Sequence, residues 1–548
     1  MTDLAGASWF PNALHILVGA GGLLALAGVP GLLLDRRSPW GQRIANGLIL
    51  AACAVGLVGA FLMLRATREL RLDLPSPFPG QRSVLGVDAL SAWFAVPVLV
   101  VGGLGSIFAT AYWPARRHPH NGRRLHFCYG LLLASLVFIL LARDGTSFLI
   151  AWEVMALTNF FLVTIEENDI DVRRAGWLYL LYSHVTILGL FAFFMLQHQV
   201  TGALGFERIA AVAPTGARTA IFLLALVAFG IKAGAMPLHS WLPSAHASAP
   251  SHVSAVMSGV VIKMGIYGLV RTTGLFDDLP LAWGIAILAL GAVAAFFGVV
   301  FALSQHDLKR LLAYHSIENI GIILLGLGLA MAGRSLGRPD WVVLGMAGCL
   351  LHVWNHALFK SLLFFGAGSL VHATGSRDLE RMGGLARRMP ATAMLFGIGA
   401  LAICGLPPWN GFVSELLVFL GLVRAAVAPM APAATGAWVA LAAPVLAATG
   451  ALAVACFVKV VGIVFLGTPR SAAAGEAHES PRAMLGPMVV LAVVCALLGV
   501  APGMVAPALE RAAAVGAGAP LAGPSLAVLA PLGWVSAGAL ALVALAGL

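Results

Sequence analysis

Charge is scarce in this sequence: Asp, Glu, Lys and Arg make up 10% of its 548 residues, 60% are hydrophobic, and the mean hydropathy is +0.94. A chain so poor in charge cannot clothe an ordinary soluble domain, so an all-α polytopic membrane protein is predicted. Lysine is rarest of the cations. Only Lys232, Lys263, Lys309, Lys360 and Lys459 occur, and all but Lys309, placed by the pattern in a polar loop, fall inside apolar runs. Arginine does the other cationic work. The six cysteines (Cys53, Cys128, Cys349, Cys404, Cys456 and Cys495) stand singly in apolar segments without a CxxC, which removes iron–sulfur ligation. HExxH, GxxxxGK[ST] and GxGxxG between strand and helix are also missing, so zinc hydrolysis and nucleotide binding are not expected. Haem is disfavoured because the histidines mix with lysines instead of pairing in apolar stripes. No cofactor or metal is assigned. The net charge of +10 lies in short loops between apolar runs, which fits orientation in a cell inner membrane and not nucleic-acid binding.

What the sequence has is apolar length. A hydrocarbon core about 30 Å thick takes roughly 20 residues per helix, and the chain divides into about 14–15 such spans, with 390–424 and 524–547 each drawn as one. The first run lacks a basic n-region and a small-residue cleavage site, so it is expected to remain as a helix and not leave as a signal peptide. The run at 203–213 is expected to form a short interfacial helix. DRRSPWGQR, ARRHPHNGRR, DVRR, HDLKR and SRDLERMGGLARRMP are assigned to cytoplasmic loops, with RATRELRLDL at 65–74 on the opposite side against the bias. Four segments follow: N-terminal helices at 1–120, a five-helix block at 121–275, a second at 276–470, and C-terminal helices at 471–548. An odd number of helices per block inverts the second block against the first, the pattern of secondary transporters. In each block the second helix carries an acid (Glu153, Glu318), the fourth is interrupted (GAMP at 234–237, GLPPWNG at 405–411) and the fifth carries a lysine (Lys263, Lys459).

The stretch 230–263 holds Lys232 and Lys263 around Pro237, Pro243 and Pro250, the pattern of a broken helix followed by a whole one. One charge at the centre of a spanning helix costs about 2.5–3.5 kcal/mol on the lenient insertion scale, so Glu153, Lys232, Lys263, Lys360 and Glu415 must pair or touch water. An amine in such a place can release its proton where guanidinium cannot, and a carboxylate moving toward or away from it loads or unloads it. A pair of Glu153 with Lys232 is the expected switch. His352, His356 and Lys360 follow at i, i+4 and i+8 on one helix face, and His239, His246, His252 and His315 lie at or near the breaks, where imidazoles can relay protons. Static ion pairs that only fix helix register are the plainer alternative for any one of these groups.

At PLHSWLPSAHASAPSHVSAVMSGVVIKMGIYGLVR (237–271) the sequence resembles the antiporter-like membrane subunits shared by respiratory complex I, Mrp-type cation/proton antiporters and membrane-bound hydrogenases. AWEVMALTNFFLV (151–163), LLAYHSIENIGIILLGLG (311–328), the segment 355–390 and GLPPWNGFVSELL (405–417) extend the likeness over about residues 85–470. EENDIDVRRAGWLYLLYSH and VHATGSRDLERMGGL are most like the large membrane subunit of hydrogenase-4 and formate hydrogenlyase. The resemblance implies a fourteen-helix core of two inverted five-helix units, with Glu153 and Lys232 as the ion pair of a first half-channel. Lys263 would then connect through His315, His352, His356 and Lys360 to Glu415. It also implies further membrane subunits and a peripheral arm with nickel–iron or iron–sulfur centres on other polypeptides. The long amphipathic helix that follows the core in the largest complex I member has no counterpart before 524–547. A Na⁺/H⁺ antiporter of Mrp type, a subunit driving inorganic-carbon uptake, a passive membrane anchor for an oxidoreductase arm and a quinone-reactive enzyme are the competing functions.

Overall fold

The computed structural model describes residues 10–34, 39–75, 83–428, 433–521 and 523–547. Asp35, Arg36 and Arg37 of the first basic loop lie outside them. Among the described residues, thirteen helices are long and apolar enough to cross a membrane. The number is lower than the sequence count for a local reason. The 390–424 run splits into Pro390–Ile403 and Asn410–Ala426, and in 524–547 only Leu532–Gly547 forms a long helix.

The chain forms two compact units. The first comprises residues 1–233, 248–278 and 514–519. In it Phe10–Leu26 packs on Trp40–Arg65 and Gly122–Leu141, Gly122–Leu141 packs on Gly145–Val163, and Ile170–Thr201 packs on Thr215–Ala233. The helix from Ser251 to Thr273 is interrupted by one π turn, Met257–Val261, immediately before Lys263. Such a turn leaves carbonyls off the regular ladder and often marks a functional position. The 65–74 stretch, expected as a plain loop, supplies an edge of sheet: β1 (Leu70–Leu74) pairs antiparallel with β2 (Ser83–Val87), Leu72 opposite Leu85. Alternation in LRLDL is short, yet it suffices to give the hairpin an apolar and a polar face. The interfacial helix expected at 203–213 is not formed. That segment is held by isolated bridges, Asp144 to Gly205 and Ile209 to Phe276, so its backbone groups are satisfied without helical turns.

The second unit comprises residues 234–247, 279–513 and 520–548. Its centre is the antiparallel pair Leu281–Leu303 and Leu308–Ser335, followed by the 36-residue helix Pro339–Thr374. Gly284, Gly291 and Gly298 recur every seventh residue and meet backbone: a Cβ on them would lie 2.7 Å from Ala332 N, 2.7 Å from Leu325 N and 2.6 Å from Glu318 N. Only glycine permits that approach. Lys309 is buried in the first turn of its helix and not in an open loop, because residues 377–379 pair with the chain at 306–308 and cover it.

Candidate functional site

In the first unit Lys232 is buried on the last turn of Thr215–Ala233, where its Nζ donates to Tyr179 Oη at 3.1 Å and lies 5.1 Å from the centre of that ring. Glu153 and Lys232 form no ion pair with each other. Instead Glu153 Oε1 faces His184 Nε2 at 4.0 Å, both side chains partly exposed. His184 Nδ1 donates to Leu180 O at 2.9 Å, which leaves Nε2 toward the carboxylate, so the contact becomes attractive when that nitrogen takes a proton. On Ile170–Thr201, Tyr179 and His184 lie five residues apart and so face different ways, and each takes one of the two groups: Tyr179 the lysine and His184 the glutamate. Lys263 is buried, and its Nζ makes a short hydrogen bond to Ser258 O in the π turn. His252, from the same helix, lies among Tyr112 and Tyr129 at ring distances of 5.9 and 5.8 Å.

In the second unit the stripe on Pro339–Thr374 meets groups from two other helices. His315 Nδ1 and the Glu318 carboxyl share a short hydrogen bond, both fully buried, and His315 packs against the Phe457 ring at 4.8 Å. Glu318 lies within electrostatic range of Lys360, whose buried Nζ makes no hydrogen bond to any described residue. His352 holds a polar cage: its Nε2 meets Asn319 Oδ1 at 3.0 Å and its Nδ1 meets Ser414 Oγ at 2.9 Å. Since Asn319 Nδ2 donates to His315 O, its Oδ1 must accept, and His352 Nε2 therefore carries hydrogen. A proton arriving at Nδ1 then turns the Ser414 hydroxyl to its other acceptor, Gly411 O at 3.1 Å. His356 stands 6.4 Å from the His352 ring and 5.6 Å from Phe359. Asn355 donates to Ser414 Oγ and Asn410 O, and Asn410 donates back to Asn355 Oδ1.

The interruptions place the remaining groups. Helix Thr215–Ala233 stops, Gly234 takes φ +74°, and helix resumes at Trp241. His239, in between, lies 6.4 Å from the Tyr314 ring, and His246 Nδ1 donates to Leu242 O. At the other break Gly405 takes φ +61° and the Glu415 carboxylate lies directly against it, so a side chain at 405 would displace the acid. Lys459, the lysine of the second block, caps Leu303 O and Gln305 O at 2.7 and 3.1 Å; it closes a helix end.

Two groups of residues escaped the sequence. The asparagines around His352 give little signal in spacing, although H-xx-N, His352 to Asn355 in LHVWNHALFK, could have flagged one. Replacing Asn410 with Ala strands the Asn355 carbonyl and is expected to lower stability by about 1–3 kcal/mol, read as earlier thermal unfolding in detergent. The second group is an ion network in the first unit. Asp88 accepts two bonds from Arg271 at 2.5 and 3.0 Å and faces Arg143 at 3.5 Å, Glu69 pairs with Arg143 at 2.5 Å, and Ser91 joins both arginines. Burial raises the Glu69 carboxyl, but Arg143 and Arg71 outweigh it and hold the group below its ordinary value; Asp88, also buried, is held lower still by Arg271 and Arg143. Depressed carboxyl values mean stability present at neutral pH and lost only as pH falls through them. A spin label at exposed Asp73 is therefore expected to stay immobile as pH falls through the ordinary carboxylate range and to loosen only below it, whereas Glu69→Gln loosens it at pH 7.

Comparison with known proteins agrees with this geometry. A family described as NADH:quinone oxidoreductase/Mrp antiporter, transmembrane, matches residues 142–439. Hydrogenase-4 component B of Escherichia coli K12 is 38% identical over 507 residues, 90% of this chain and 74% of the relative. Formate hydrogenlyase subunit 3 of the same organism is 38% identical over 76% of this chain and 67% of the relative. The Mrp complex from Dietzia contains a chain that superimposes with a TM-score of 0.78 at 25% identity, over 97% of this chain and 55% of its own length. Such relatives are subunits of multi-subunit membrane complexes. With over half of the chain matched and the likeness running across both interrupted helices, this protein belongs to the NADH:quinone oxidoreductase/Mrp antiporter family of multi-pass membrane subunits.

Proposed function

We propose that the chain is the proton-conducting membrane subunit of a redox-driven complex of the hydrogenase-4, formate hydrogenlyase and complex I type, seated in a bacterial inner membrane. Lys360 carries the proposal. An amine fully buried on a membrane-spanning helix, facing Glu318 and following His352 and His356 along one stripe, is costly to keep unless it handles charge. In the second unit the proton moves among Glu318, His315, Lys360, His356 and His352, with Glu415 as the acid at the broken helix. In the first unit Lys232 and Lys263 take the same part, and Glu153 with His184 forms a separate partly exposed pair. The two five-helix blocks, 121–275 and 276–470, are proposed to be inverted repeats that each hold one half-channel. Electrons come from a peripheral arm with nickel–iron or iron–sulfur centres on other polypeptides.

The test is proton uptake by inside-out vesicles holding the intact complex, driven by its electron donor in Na⁺-free buffer. Acidification that an uncoupler collapses supports the proposal. A strict Na⁺ requirement would assign a Na⁺/H⁺ antiporter, and electron transfer without acidification would leave a passive anchor.

A further inference from the structure

The hairpin of the first unit separates two adjoining cavities. Its alternation decides which residues face which: Leu74, Ser83 and Leu85 line an apolar cavity of about 360 Å³, whereas Arg71 and Val84 line a polar one of about 660 Å³. Thr146, in the first turn of Gly145–Val163, lines both. The polar cavity sits where spanning segments end, beside the N-cap Asp144 of that helix and the C-cap Gly202 of Ile170–Thr201, at the level of lipid headgroups. The apolar cavity runs from Thr146 to Val154 along the same helix, and Ile150 in its wall is 54% exposed toward the bilayer. Eight residues of helix span about 12 Å, most of one leaflet of a hydrocarbon core about 30 Å thick.

The polar walls carry both signs. Arg71, Arg143 and His198 stand against Asp144 and Glu207. Arg143 is almost fully buried and already shared by Glu69 and Asp88, and Arg71 gives its Nε to Glu69 at 2.8 Å, so what stays open to a ligand is the outer end of the exposed Arg71 guanidinium, with the His198 ring as a hydrogen-bond partner and Glu207 as the open anion. An anionic headgroup would meet Glu207 and Asp144 unfavourably. A phosphate next to a primary ammonium matches both signs at once, the phosphate on Arg71 and His198 and the ammonium on Glu207.

We propose that this double cavity is a binding site for one phospholipid with a primary-ammonium headgroup, of the phosphatidylethanolamine class, one of its two acyl chains laid between Phe138, Ile150 and Val154. The hairpin serves as the partition between headgroup and chain. The lipid fills a wall of the first unit whatever ion the protein moves.

Native mass spectrometry of the full chain, stripped of lipid in mild detergent and offered phosphatidylethanolamine, phosphatidylglycerol and phosphatidylcholine of matched acyl length, tests this. One phosphatidylethanolamine is expected to be retained, at least about fivefold over the other two. Glu207→Gln, an exposed change with no folding role, should erase that preference while leaving phosphatidylglycerol retention as it was or higher. Ala151→Trp, which fills the apolar cavity, should remove retention of all three. Equal retention of the three lipids, a preference unchanged in Glu207→Gln, or an added subunit that covers the face with no lipid retained would each overturn the proposal.

Discussion

Lys360→Met is expected to cut donor-driven proton uptake in vesicles by at least about tenfold, or ~1.4 kcal/mol in barrier terms, while electron transfer by the proposed peripheral arm persists. The argument is local. Lys360 is the amine set among buried histidines and within range of Glu318, and no hydrogen bond to a described residue holds it in place. Lys360→Arg separates conduction from statics. Guanidinium keeps the positive charge opposite Glu318 and effectively never gives up its proton, so a fixed ion pair would tolerate it and a relay would not. Uptake restored to near the original rate by arginine would refute proton release at this position.

The second large effect is expected at Lys232. Lys232→Met should stop uptake as fully as the change at 360, because it removes the amine beside the first broken helix. Tyr179→Phe is the informative companion. It keeps the amine and the aromatic face but deletes the hydroxyl that Lys232 donates to, a bond worth about 0.5–3 kcal/mol, so a partial loss, smaller than that of Lys232→Met, follows. His184→Ala should matter less than Lys232→Met, since His184 faces Glu153 and not the lysine. Proton-uptake rates of the three variants, measured in one vesicle preparation, give the ranking.

How far these features could be read from the sequence depended on whether they are local in the chain. The breaks announce themselves through glycine and proline, and GAMP and GLPPWNG mark the places where helix stops at Ala233 and Ile403. The stripe His352, His356, Lys360 follows from helical periodicity alone. Pairings between helices are another matter. Nothing in spacing tells that Tyr179, not Glu153, meets Lys232, or that Asn319 and Ser414 fix the His352 ring, because those partners lie 33 to 62 residues apart. The hairpin was hidden for a different reason: five alternating residues beside a run of arginines look like loop until a second strand is found thirteen residues on, Leu72 against Leu85. Lys309 seemed solvated because the segment that buries it comes from residues 377–379.

The glycine seam between Leu281–Leu303 and Leu308–Ser335 constrains how anything can travel past Glu318. Main chain touches main chain at three levels seven residues apart, so rolling or sliding either rod would drive peptide groups into one another along its whole length. Whatever reorganises there must be small: the swing of a carboxylate, the half-turn of a hydroxyl, the exchange of a solvent molecule.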